Sequence, residues 1–212
     1  MTLPLRQTGS YSIQLVQISQ KIFSSMISKV MGVSLSVTIL TIAPILSLAG
    51  QEYISFIEAM FEVTHPAHIL VSAAATSFIY YKYKKSLSLS ILVGVVGAIL
   101  IGTLSDVLFP WVFGNLFSLK TSLHLPIFEN PPLILVMGIL GSLGGIYIGG
   151  FKFSHSTHVF LSVFASLFYL LAFSVTINIW AVIATSIIVF LVVFIPCCIS
   201  DIVFPILFID KP

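Results

Sequence analysis

Two histidines three residues apart, His65 and His68, are followed along the chain by Asp106, and the same set returns as His155, His158 and Asp201. Residues at i and i+3 of a helix share a face, so each H-x-x-H pair presents two imidazoles side by side. Two imidazoles and a carboxylate are a suitable first shell for a borderline divalent cation such as zinc, iron, manganese, cobalt or nickel, with positions left for water or substrate. Direct hydrogen bonding between the histidines and aspartates, with no ion, is the competing role for the same six residues.

The resemblance between the two sets extends well beyond them. His65-Pro66-Ala67-His68 aligns with His155-Ser156-Thr157-His158, and Ser72 with Ser162, Ala75 with Ala165, Thr76 with Ser166 and Phe78 with Phe168, all 90 residues apart. Ser105-Asp106-Val107-Leu108-Phe109-Pro110 then aligns with Ser200-Asp201-Ile202-Val203-Phe204-Pro205, 95 residues apart. Shared apolar positions alone do not reproduce that order of His, Ser, Asp and Pro, so the pattern reads as an internal duplication.

Ser72 and Thr76 continue the His65/His68 face along the helix, and Ser162 and Ser166 do the same in the second copy. Together they outline a polar path; interhelical bonding is the plainer role for such small hydroxyls. Cys197 and Cys198 precede Asp201 by one turn and are possible extra ligands, although the first copy has Gly102 and Thr103 there and buried cysteines commonly serve packing alone. His124 and Glu129, in the connection between the copies, are further candidate ligands. With Glu58 and Glu62 they could gather cations at an entrance, although an ordinary solvated loop is the plainer reading of these four residues.

These side chains must be positioned by helices in lipid. Of 212 residues 58% are hydrophobic and 8% charged, and the mean hydropathy is +1.14. An ordinary soluble domain has about 25% charged residues, so there is too little polarity here to coat a water-facing surface. Apolar stretches over 30–50, 66–81, 87–109, 131–151, 157–176 and 178–200 predict six transmembrane helices, each near the ~20 residues needed to cross the hydrocarbon core. Ser47-Leu48-Ala49 has the spacing of a signal-peptidase site, but the apolar run before it exceeds the usual 7–15 residues, and we read it as a retained span.

The expected architecture is an all-α integral membrane protein. Residues 1–29 form a cytoplasmic interfacial segment, with Leu15, Ile18, Ile22, Met26 and Val30 on one face of a helix. Residues 30–113 form a first three-helix repeat, 114–130 an external connection and 131–212 a second three-helix repeat. An odd number of spans per half inverts the second copy relative to the first. Its third and second helices carry the pattern, whereas the first helix of each half is poorly matched. Gly138, Gly141, Gly144, Gly145 and Gly149 give the fourth span a small-residue face suited to close helix packing.

With the N-terminus inside, Arg6, Lys21, Lys29, Lys82, Lys84, Lys85, Lys152 and Lys211 are cytoplasmic and Lys120 alone is external, as the positive-inside rule prefers. Both termini are then cytoplasmic, in the cell membrane. This topology places His65, His68 and Asp106 at helix ends near the outer surface and His155, His158 and Asp201 near the inner one.

Two such clusters on opposite faces of inverted repeats predict a transporter or channel for a divalent transition-metal cation. The alternative is a membrane-embedded metal-dependent enzyme acting on an apolar or lipid substrate, which duplication of the cluster onto both faces makes the weaker fit. Haem binding fits worse, because two histidines on one helix face cannot flank a single haem. A net charge of +2 provides no basic patch for nucleic acid, and no nucleotide-binding loop is present. The partners expected are the bilayer, the ion and, where copies associate, a second copy of this chain.

Overall fold

The computed structural model describes residues 51–148, 154–175 and 179–193, and 89% of it is helical, with no strand among the described residues. The predicted interfacial segment 1–29 and first span 30–50 lie outside the described residues, as do Gly149, Cys197, Cys198 and Asp201.

The first described helix, α1 (Gln51–Lys84), is 34 residues long and continues through Pro66. It ends where Lys85 takes a left-handed conformation, φ 52°, and its N–H bonds the Tyr81 carbonyl. A two-residue link then starts α2 (Leu87–Thr103), which runs through a π-helical turn at Leu104–Leu108 into α3 (Phe109–Leu116). The short α4 (Pro126–Glu129) leads into α5 (Pro131–Ile148), and α6 (Ser154–Phe173) and α7 (Ile179–Val192) follow.

Among the described residues, two helical segments, Leu87–Leu116 and Pro131–Ile148, are long and apolar enough to cross a membrane. The predicted spans 157–176 and 178–200 correspond to shorter apolar helices, Thr157–Phe173 and Trp180–Val192, and 66–81 is the C-terminal half of α1. Six spans are therefore an expectation that the described helices meet in part.

Among the described residues, apolar side chains cover the outer helix faces as well as filling the core clusters, and a group of polar side chains is buried with them. Leu92, Val96 and Leu100 on α2, Leu135, Val136, Ile139 and Leu140 on α5, and Trp180, Ile183 and Ile187 on α7 are exposed, whereas His65, His68, Ser72, Thr76, Asp106, His158, Ser162 and Ser166 are buried. α1 is the central element, packed against α2, α5 and α6. Its seam with α5 depends on two glycines: a Cβ on Gly141 would meet the Leu70 carbonyl oxygen at 2.1 Å, and one on Gly145 the Ala74 oxygen at the same distance. The small-residue face thus serves close backbone packing in which Gly144, with nothing near its Cβ direction, has no part. On the other side of α1, helix α6 runs antiparallel: Phe61 meets Tyr169 and Phe173, while His68, further along α1, meets His158 near the start of α6.

The connection between α3 and α5 is clasped to the end of α6. Ser122 N–H bonds the Phe173 carbonyl, Val175 N–H bonds the Leu119 carbonyl, and the Asn115 amide bonds the Thr121 carbonyl. Tyr169 adds its hydroxyl, which donates to the Ser122 carbonyl and accepts from the His124 N–H. A loop pinned at this many points fixes where His124 stands.

Candidate functional site

The local backbone at Asp106 follows from Pro110, four residues later. Proline has no N–H to bond the carbonyl at i−4, and its ring crowds that carbonyl, here that of Asp106. The chain accommodates it by widening into the π turn over Leu104–Leu108, in which the Phe109 N–H bonds the Leu104 carbonyl five residues back. Such single π turns are frequent at functional positions. This one aims the Asp106 side chain at α1 and α6.

There the carboxylate is saturated. Oδ2 accepts from His65 Nδ1 at 2.9 Å and from His68 Nδ1 at 2.6 Å. Oδ1 accepts from Ser105 Oγ at 2.8 Å and from Ser162 Oγ at 3.2 Å. A carboxylate has about four lone-pair positions, so all are taken. All five side chains are at most 1% exposed.

A carboxylate only accepts, so both histidines carry a proton on Nδ1, and in the neutral ring this leaves Nε2 as an acceptor. The Nε2 of His68 faces the Nε2 of His158 at 3.3 Å, with the rings at 76°. Phe61 stacks on His65 at 5.5 Å and closes that side. Ser166 Oγ lies 2.8 Å from the Ser162 carbonyl and 3.1 Å from the Ser105 carbonyl, binding α6 to the π turn.

This geometry corrects the expected placement in two respects. The histidines are not at a helix start: His68 is the middle of α1, about 25 Å from either end at 1.5 Å per residue. Asp106 is likewise interior to the 30-residue helical segment Leu87–Leu116. The cause is that both helices extend well past the apolar stretches, α1 taking in Glu52, Glu58 and Glu62, which the sequence alone assigns to an outer loop. Nor do His158 and Ser162 form a separate cluster on the opposite face. Antiparallel packing of α1 and α6 brings them onto His68 and Asp106, so these residues from the two sequence motifs build one centre.

Ser72 and Thr76 are buried on the same helix as the histidines. The side chain of His155, like Asp201, Cys197 and Cys198, lies outside the described residues.

A second group gathers where the connection meets α1. His124 Nε2 is 2.9 Å from Glu62 Oε1 and 2.9 Å from Glu129 Oε2, and the three donor atoms lie within 4.8 Å of one another. Glu129 Oε1 accepts from the Leu125 N–H, which holds that side chain in place. Sequence reasoning grouped His124 and Glu129 with Glu58 and Glu62 at an entrance but named only His124 and Glu129 as ligands, and it did not single out Glu62 from Glu58. The available signal was its spacing: Glu62 precedes His65 by three residues and so extends the H-x-x-H face. Ser105 and Phe61 were also missed as partners of the centre; Ser105 belongs to the repeated S-D pair.

Comparison with known proteins gives no match: no family model, curated protein or solved structure is similar to this chain.

Proposed function

We propose that the chain is an integral membrane protein of two inverted three-helix repeats that carries a divalent transition-metal cation across the cell membrane, with the His68–His158 pair as its central station. The observation that carries this reading is the spacing of the two Nε2 atoms. Two nitrogens bound at about 2.0–2.1 Å to one tetrahedral ion stand roughly 3.3 Å apart, and 3.3 Å is the separation of His68 Nε2 and His158 Nε2. Asp106 then acts behind the ligands: by accepting both Nδ1 protons it fixes ring orientation and tautomer, the role carboxylates commonly take toward metal-bound histidines.

The inverted repeat is supported by which residues meet. His68 and His158 hold equivalent positions in the duplicated pattern, and in a pair of repeats related by a two-fold axis only residues on the axis contact their own equivalents. The antiparallel run of α1 and α6 agrees with an axis in the membrane plane. Apolar outer faces on α2, α5 and α7 support residence in lipid, and the Lys82, Lys84 and Lys85 group supports a cytoplasmic end for α1, with cytoplasmic termini.

Uptake of Zn2+ or Mn2+ into proteoliposomes containing the full chain tests the proposal. His68→Ala and His158→Ala each abolish uptake if the pair is the station. Undiminished uptake in the double variant overturns it.

A further inference from the structure

The triad of Glu62, His124 and Glu129 poses a charge problem that the chain's own groups leave unsolved. One imidazole nitrogen, carrying at most one proton, faces two carboxylates at the same 2.9 Å. That nitrogen hydrogen-bonds Glu62 Oε1, while Glu129 Oε2, at the same distance, takes no hydrogen bond from it. No lysine or arginine among the described residues pairs with either glutamate.

We propose that Glu62, His124 and Glu129 form a binding site for a divalent cation of the Mn2+, Fe2+, Co2+ or Zn2+ type, separate from the His68–His158 pair. One nitrogen and two carboxylate oxygens match the preferences of these ions. Donors sharing an ion at about 2.0–2.2 Å lie roughly 2.8–4.4 Å apart, depending on the angle between them, and the two 2.9 Å edges from His124 to the glutamates fall at the short end of that range. An ion among them replaces the proton between His124 and Glu62 and offsets both carboxylate charges.

The donors are held before any ion arrives. The His124 ring stacks on Phe173 at 4.4 Å and 21°, meets the edge of Phe61 at 5.9 Å, and is anchored through its backbone N–H to the Tyr169 hydroxyl. Glu62 stands on α1, and Glu129 is fixed by Leu125. Side-chain exposures of 24% for His124, 43% for Glu62 and 48% for Glu129 leave the group open to ions from water. The same Phe61 ring that touches His124 stacks on His65, so this site is one aromatic ring away from the buried centre.

Titration of Co2+ onto the purified full chain, read by visible absorption and by calorimetry, tests the site. Glu62→Gln and Glu129→Gln each weaken one Co2+ site by at least about tenfold, the lower end of what altering a metal's surroundings costs, and His124→Ala removes it, while His68→Ala leaves it intact. Melting temperatures without metal confirm that the glutamine variants fold as the parent does. The inference is overturned if Co2+ affinity is the same in both glutamine variants, or if His68→Ala alone abolishes all binding. Because the readout is binding, loss of the transport proposal leaves this result unaffected.

Discussion

The buried centre around Asp106 and the half-exposed triad around His124 are built from the same side-chain types and balanced in opposite ways. At Asp106 four donors meet one carboxylate, and each lone-pair position has a partner. At His124 two carboxylates face one nitrogen, an excess of acceptors. Complete pairing is what a carboxylate needs away from water, where an unmet charge is expensive. A shortage of donors is tolerable at the surface, and there it favours an added cation. The contrast separates a centre that orients from one that recruits.

Removing the acceptor at the buried centre is the most severe way to break the contrast. Asp106→Ala removes the carboxylate that His65 and His68 Nδ1 and Ser162 Oγ bond, leaves Ser105 Oγ with the Gly102 carbonyl, and should cost about 3–5 kcal/mol, as breaking a buried charged network does. Thermal or denaturant unfolding in detergent measures it. A change under 1 kcal/mol on that scale would show that the donors have other partners and that saturation is not what holds α1, α6 and the π turn together.

Asp106→Asn is the finer test. The amide oxygen can face the two histidines while its NH2 group faces Ser105 and Ser162, whose hydroxyls accept as well as donate. The pattern survives with its charge removed, so the expected loss falls to about 1–2 kcal/mol, the difference between charge-assisted and neutral bonds. Equal losses in the alanine and asparagine variants would mean that charge rather than hydrogen-bond completion governs the centre.

Spacing alone made part of this legible. His65 and His68 share a face and bond the same carboxylate oxygen, as i and i+3 positions on one helix permit. The repeated Asp-to-Pro distance of four residues in S-D-x-x-F-P also has a local consequence, the π turn, because the proline acts on the carbonyl four residues back. The place of the centre along its helices was not legible. Glutamates at 52, 58 and 62 look like loop residues when spans are judged by apolar length, yet α1 includes them, so His65 and His68 stand mid-helix instead of at a helix start. Nor could spacing show that His158 meets His68 across 90 residues, or that Glu62 meets His124 across 62, since both depend on how α6 and the clasped connection pack against α1.

Zinc K-edge X-ray absorption on the zinc-loaded full chain, in a His124→Ala background that removes the outer triad's nitrogen, tests most directly whether His68 and His158 share an ion. The expected spectrum contains at least two imidazole nitrogens at about 2.0–2.1 Å, and adding His158→Ala removes imidazole scattering from it. A first shell of oxygen alone, or an imidazole count unchanged by His158→Ala, would contradict the account and leave the His68–His158 contact as a hydrogen bond between two helices.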